Sequence, residues 1–362
     1  MRNGGLKAWT VALALVLSVG QPALAAAEEP VMSAARAGEA DKLWKQGREA
    51  ADAGEWPQAV GLYERSLAIV ARPAVWNDLA SAMASLERWG EAEQAFERVL
   101  AAAPRDADAL NGLGYVRYRQ DRLEDAIGCY RRAIAQKADP QFHLNLGLAY
   151  LAQKRYGDAE REFTRTLALD PAHYWGHNNM GYTLQEQGKL RDAAVAYEAA
   201  CARADGRVTA HLNYGGLLME VRDYAGAAWI YREALKQDDA SNDSHLGFAL
   251  SMHQLNRLDE AYLEARVVEL AGAHPAETRH LFAGIWRDRG ETKKAISEAE
   301  RAVSLAPEVA SYQLTLGLLY ERDGQIPEAA RAYEAFLALS PEDPRAPELR
   351  YTVRTMREAW GL

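Results

Sequence analysis

Cysteine is almost missing from this sequence, with 2 in 362 residues, Cys129 and Cys201. A small fold stapled by disulfides is therefore excluded. Neither cysteine has a Cys-x-x-Cys partner or a local histidine, so a redox role is not expected. Basic excess is missing too: Lys and Arg number 42 against 51 Asp and Glu, a formal charge of −9. Such a chain is a poor ligand for nucleic acid, where neutralising phosphates drives affinity, and it offers no basic patch for a membrane surface. There is no nucleophile elbow, phosphate loop or zinc-protease helix, so no enzyme and no cofactor are expected. One long apolar run exists, Ala8–Val19, and it is shorter than the roughly 20 residues a bilayer requires.

That run follows Arg2 and Lys7 and is followed by Pro22 and then Ala23-Leu24-Ala25. A positive start, a short apolar stretch and a small-x-small site make residues 1–25 a secretory signal peptide with cleavage after Ala25. The alternative is an uncleaved anchor. No cysteine follows the run, so a bacterial lipid anchor is not expected. The mature chain would be periplasmic or secreted, more acidic by the loss of Arg2 and Lys7, and not inserted in a membrane. Residues 26–39 read as a leader whose end is already helical.

Beyond the leader, the stretch Pro140–Pro171 shows how the rest is built. With Pro140 as position 1, Leu146 falls at 7, Gly147 at 8, Tyr150 at 11, Ala159 at 20, Phe163 at 24 and Pro171 at 32. Apolar residues recur at three- and four-residue steps on either side of Lys154-Arg155, which predicts two amphipathic helices joined by a short turn. Gly147 and Ala159 are small enough to let the helices approach where they meet, with Tyr150 and Phe163 filling the space beside them.

This pattern resembles the tetratricopeptide repeat, a 34-residue helix-turn-helix motif. It recurs in register with starts at 40, 73, 107, 140, 174, 208, 242, 276 and 310, so residues 40–344 read as nine repeats in one uninterrupted array. After it, Ala346, Leu349, Val353, Met356 and Trp360 recur at helical steps. Residues 345–362 are thus expected to cap the last open face. The resemblance implies an all-α, right-handed α-solenoid. Cys129 and Cys201 lie two repeats apart, and packed helices stand about 8–10 Å from each other, so two lone thiols are expected, Cys201 buried. Ala265 and Ala299 replace the ring at position 24 in repeats seven and eight, which predicts a soft point there.

The resemblance also assigns positions of each first helix to the wall of an inner groove. In repeat three these are Asn111, Tyr115 and Tyr118, and in repeat four Leu144 and Leu148. Repeat five contributes Trp175, Asn178 and Tyr182. Leu212 and Met219 follow in repeat six, then Leu246 and Leu250 in repeat seven. A contiguous apolar and aromatic wall of this kind marks a surface for a protein or extended peptide partner. Tyr115, Tyr118, Leu148, Tyr182 and Met219 are its expected anchors.

Asn145, Asn179 and Asn213 recur every 34 residues at position 6. Each amide carries both donors and an acceptor, so a row of them could hold an extended backbone. The arrangement is similar to the asparagine ladder of the O-linked N-acetylglucosamine transferase superhelix, although asparagine is frequent at this position throughout the family. His143, His177, His211 and His245 form a second row at position 4. Helices one repeat apart are too distant for these imidazoles to converge on zinc, so a packing role inherited by duplication is expected instead. The family's carboxylate clamp needs Lys at position 5, which no repeat has. The sequence reading is an exported interaction module, with a self-associating scaffold, hence a homo-oligomer, as the alternative.

Overall fold

The computed structural model describes residues 28–361, with side chains from residue 34 onward. The signal-peptide expectation for residues 1–25 lies outside the described residues. Every regular element among the described residues is an α-helix. The helices group into two compact units, one ending at Asp125 and one starting at Ala126.

The first unit contains α1 (Glu28–Asp52), α2 (Trp56–Ile69), α3 (Pro73–Ser85), α4 (Trp89–Ala102) and α5 (Ala107–Arg119), with α6 (Leu123–Ile134) spanning the division. The stretch read as a leader is mostly inside α1, which is the longest helix because no proline or glycine pair interrupts Glu28–Asp52 after its first turn. The second unit continues with α7 (Pro140–Ala152), α8 (Tyr156–Leu169), α9 (Tyr174–Glu186), α10 (Leu190–Cys201), α11 (Thr209–Glu220) and α12 (Tyr224–Gln237). It ends with α13 (Asn242–Gln254), α14 (Leu258–Leu270), α15 (Pro275–Asp288), α16 (Thr292–Leu305), α17 (Ala310–Asp323), α18 (Ile326–Leu339) and α19 (Ala346–Trp360). Val353 and Met356 of α19 are buried against Phe336 and Tyr333 of α18, so the terminal helix covers the last pair.

Local chemistry fixes these boundaries. Prolines occupy the first turns of α3, α7 and α15, where a missing N–H costs nothing. The Asp106, Asp139 and Ser241 side chains accept from the backbone N–H of Ala109, Gln141 and Ser244. Each satisfies a donor that the helix itself leaves unpaired. Between the two helices of every pair the chain passes through one left-handed residue, always the same repeat position: Gly54, Glu87, Asp121, Lys154, Gly188, Arg222, Asn256, Gly290 and Gly324. Side-chain residues in that conformation cost about 1–2 kcal/mol, while glycine adds roughly 0.5–1 kcal/mol of unfolded-state freedom. Lys154→Gly (φ 57°) is therefore expected to raise stability by about 0.5–1 kcal/mol in a urea titration.

Packing within a pair is organised by one glycine and one ring. An added Cβ would stand 2.5 Å from the Tyr63 ring at Gly47, 2.5 Å from Phe163 at Gly147, 2.6 Å from Tyr197 at Gly181 and 2.5 Å from Tyr333 at Gly317. The glycine makes room for the ring itself, where the sequence reading had it opposite Ala159. These rings are fully or almost fully buried.

Repeats seven and eight solve the same problem differently. Gly247 of α13 faces Tyr231, the ring of the preceding pair: an added Cβ there would stand 2.5 Å from it. The volume beside Ala265 is taken by buried Phe282 and Ile285 from α15. Tyr262 stands 5.4 Å from Phe282 and 5.5 Å from Trp286. Rings from other positions therefore stand around Ala265, beside a cavity of about 210 Å³ lined by Tyr262, Phe282 and Trp286.

First helices of successive pairs in the second unit touch one another, α7 with α9, α9 with α11, α11 with α13 and α13 with α15. No comparable contact joins α8 to α10, α10 to α12 or α12 to α14. The first helices from α7 to α15 therefore form a continuous wall, and the second helices beside them stand apart.

Candidate docking wall

In the first unit, Tyr115 on α5 is exposed, and Asn111 and Tyr118 are half-buried. The Tyr115 ring meets Trp89 edge-on at 6.2 Å, and Arg119 lies 4.6 Å over Trp89 while its Nη1 donates to the Tyr115 hydroxyl at 2.9 Å. Tyr115 is thus held by its own unit, with its remaining face open.

The wall of the second unit carries the other sequence-derived positions at three depths. Trp175 and Tyr182 on α9 are exposed, at 40% and 44%. Asn145 and Leu148 on α7, Asn179 on α9, Leu212, Asn213 and Met219 on α11, and Leu250 on α13 are half-buried. Leu144, Asn178 and Leu246 are buried, and here the groove assignment is corrected. Close contact between neighbouring first helices turns position 5 into their shared seam. Leu246 accordingly belongs to a core cluster with Ala249 and Leu281.

Asn178 uses its burial. Its Oδ1 accepts from Asn213 Nδ2 at 2.9 Å, and its Nδ2 donates to Asn179 Oδ1 at 3.3 Å. The ladder expected from Asn145, Asn179 and Asn213 is therefore not a row of free amides. Asn145 Oδ1 accepts from Gln141 Nε2 at 2.9 Å, while Asn179 and Asn213 are linked through Asn178. Among the described residues this linkage leaves the Asn179 amino group and the Asn213 carbonyl oxygen without an in-chain partner. Those are one donor and one acceptor, flanked by Trp175 and Tyr182. The linking role of Asn178 is not visible in a 34-residue period, because it depends on two asparagines being adjacent in one repeat only.

Met219 also has a polar neighbour: its sulfur lies 3.2 Å from the Ser251 hydroxyl, which donates to the Gly247 carbonyl at 2.8 Å. The Trp175 ring is fixed edge-on against buried Tyr174 at 4.9 Å. Tyr174 in turn accepts from the Ala210 N–H at 2.9 Å, joining repeats five and six. The wall residues are thus presented with little freedom left to lose, which lowers the cost of binding.

The histidine row works inside each pair. His143 Nδ1 meets Glu162 at 2.7 Å, and His245 Nδ1 meets Glu264 at 2.6 Å while its Nε2 meets the Asp239 carbonyl at 3.0 Å. His177 Nε2 meets the Pro171 carbonyl at 3.0 Å. Each ring fastens the start of a first helix to the following helix or the preceding loop. His211 is buried and differs from its sisters: its Nδ1 has no partner. Neither cysteine is in a disulfide; Cys129 is buried and Cys201 half-buried, the latter more open than the sequence suggested. Burial, with Glu198 nearby, pushes the Cys201 thiol up to about 12, so it stays protonated and unreactive at neutral pH.

The second helices carry their own open side chains. Val195, Trp229 and Leu263 recur at 34-residue intervals on α10, α12 and α14, and all three are more than half exposed. The sequence reading passed over this row because it attended to first-helix positions.

Comparison with known proteins gives a consistent picture. The tetratricopeptide repeat profile matches residues 44–107, 77–141, 125–174, 178–243 and 287–344, together more than half the chain. Sperm-associated antigen 1 of Mus musculus is 27% identical over 117 residues, which is 32% of this chain and 12% of that protein. The Rattus norvegicus protein of the same name matches to the same extent, 27% over 117 residues and 12% of its length. Among solved structures, the APC/C hetero-tetramer Cut9–Hcn1 aligns with a TM-score of 0.51 and 11% identity, over 87% of this chain and 96% of that one. Pseudomonas aeruginosa pilF aligns with a TM-score of 0.50 and 20% identity, over 57% of this chain and 95% of that one. At these identities the likeness concerns the fold.

Proposed function

Since the chain belongs to the tetratricopeptide repeat family, whose arrays act as protein–protein interaction modules, we propose that the first-helix wall of the second unit holds an extended segment of a partner protein. The observation that carries this reading is the amide chain Asn213–Asn178–Asn179. It offers one acceptor and one donor, the complement of a single peptide unit, between two exposed aromatic rings. Backbone capture would come from the amides, and Trp175 and Tyr182 would supply the apolar anchors. Nothing in this arrangement performs chemistry on the partner, and the fold is typically a non-enzymatic scaffold.

The chain is exported in this reading, to the periplasm or beyond, and serves cell-envelope assembly or secretion. The support is the Arg2–Ala25 sequence pattern. Periplasmic extraction followed by amino-terminal sequencing should recover a chain starting at Ala26. A chain retained in the cytoplasm with Met1 intact would overturn the export.

The docking wall is tested by placing a photoreactive residue at Tyr182 or at Leu263 in cells. Cross-links to one partner from 182 and none from 263 are the expected outcome. Trp175→Ala with Tyr182→Ala should then weaken binding of the purified partner by about 30-fold or more at unchanged helicity. The reverse outcome, self-cross-links from 263 only, would favour the second reading. That reading is a self-associating scaffold, and the exposed Val195, Trp229 and Leu263 row is the observation behind it. Sedimentation over a concentration range distinguishes the two, because a strictly monomeric chain rules out the scaffold.

A further inference from the structure

A cavity of about 440 Å³ opens between α10, α11 and α12, on a face of α11 different from the one carrying Asn213. Its chemistry is one-sided. Glu198, Asp223 and Glu233 line it, and no lysine or arginine does. Glu233 has a counter-ion in Lys236 at 2.6 Å, and Asp223 accepts from the Gly226 N–H at 2.9 Å. Glu198 makes no ion pair among the described residues. Tyr214 and the exposed Trp229 supply aromatic faces beside these carboxylates.

At the inner end stands His211, 5% exposed, with its Nδ1 unbonded. The sister repeats show what is missing. His143 and His245 bond Glu162 and Glu264, each 19 residues further on, and the equivalent residue for His211 is Ile230, which lines the cavity. Replacing the glutamate by isoleucine leaves an unpaired nitrogen beside an open space. Burial lowers the His211 pKa, and a backbone hydrogen bond to Arg207 acts the other way. With its pKa lowered below the ordinary value the ring is mostly neutral at pH 7, and a neutral imidazole carrying its proton on Nε2 offers Nδ1 as an acceptor. An unmade bond of this kind is costly when buried.

We propose that this cavity is a second binding site, for an arginine side chain of a partner polypeptide. A guanidinium is planar, permanently charged and carries five N–H donors. It can therefore pair with Glu198 or Asp223, stack on Trp229 and present a further N–H toward His211 Nδ1. A lysine ammonium matches the charge but not the stacking, and an acidic or neutral group meets three carboxylates. The site lies between α10, α11 and α12, on a different face of α11 from Asn213 and apart from Trp175 and Tyr182, so either can fail without the other.

The test uses the full chain and two capped tripeptides, Ala-Arg-Ala and its citrulline counterpart, which has the same shape without the charge. Calorimetry should show the arginine peptide binding at least about 10-fold more tightly, and the imidazole ¹⁵N signal of His211 should move on binding. Free arginine, whose carboxylate meets the acidic rim, should bind more weakly than the capped peptide. Glu198→Gln, an exposed substitution, should reduce affinity several-fold, and His211→Leu should abolish the ¹⁵N response and weaken binding. Equal binding of the two peptides would overturn the proposal. So would absence of binding at millimolar peptide, or wild-type affinity in Glu198→Gln.

Discussion

Phe163→Ala is expected to lower stability by about 3–5 kcal/mol in denaturant titration, the range for deleting a large buried ring. Phe163 is 0% exposed and lies against Gly147, which has no side chain that could move into the vacated volume. The helices on either side are clamped by turn geometry and by the neighbouring pairs, so collapse of the void is limited. Because each repeat contacts only its neighbours, the loss should also reduce cooperativity, giving a broader transition with a smaller m-value than wild type. A loss below about 1 kcal/mol would mean that the glycine–ring contact is not what holds the pair.

The second large effect concerns two adjacent glycines on α11. At Gly215 an added Cβ would stand 2.5 Å from the Tyr231 ring, while at Gly216 nothing lies within 4 Å. Gly215→Ala should therefore destabilise by about 1–3 kcal/mol through overpacking. Gly216→Ala, on an open helical face, should stabilise by about 0.5–1 kcal/mol through helix propensity. Thermal unfolding of the two variants measures both, and a shared sign would contradict the packing described. In the double variant Gly215→Ala, Tyr231→Leu the penalty of the first change should be partly relieved, as contacting residues couple.

The fold was open to sequence reasoning because a period of 34 residues repeats the same two facts, a small residue at position 8 and a large one at position 24. Gly147 with Phe163 and Gly317 with Tyr333 follow that rule directly. Ala265 and Ala299 break it, and the compensation by Phe282, Tyr262 and Trp286 comes from α14 and α15 positions that no per-position pattern singles out. The wall was partly legible for a related reason. Helical spacing tells which face a side chain occupies, which placed Trp175 and Tyr182 in the open. It does not tell how closely the next first helix approaches, and that distance buries Leu144, Asn178 and Leu246. His211 carried a readable signal: its sisters have glutamate 19 residues on, and it has Ile230. Comparing partners of the row, and not the row alone, would have shown it.

The ring of Tyr231 is claimed from both sides, by Gly215 of its own pair and by Gly247 of the next. Phe163, Tyr197 and Tyr333 each serve the glycine of one pair alone. A stack unpeeling from its carboxy-terminal end can shed α17 and α18 with their shared ring intact between them. Peeling past α13 strips one side of Tyr231 and leaves the remaining stack with an uncovered aromatic face. Unravelling should therefore stall at that boundary, and amide hydrogen exchange should step sharply there, with the helices on the far side of it opening as a separate, earlier unit.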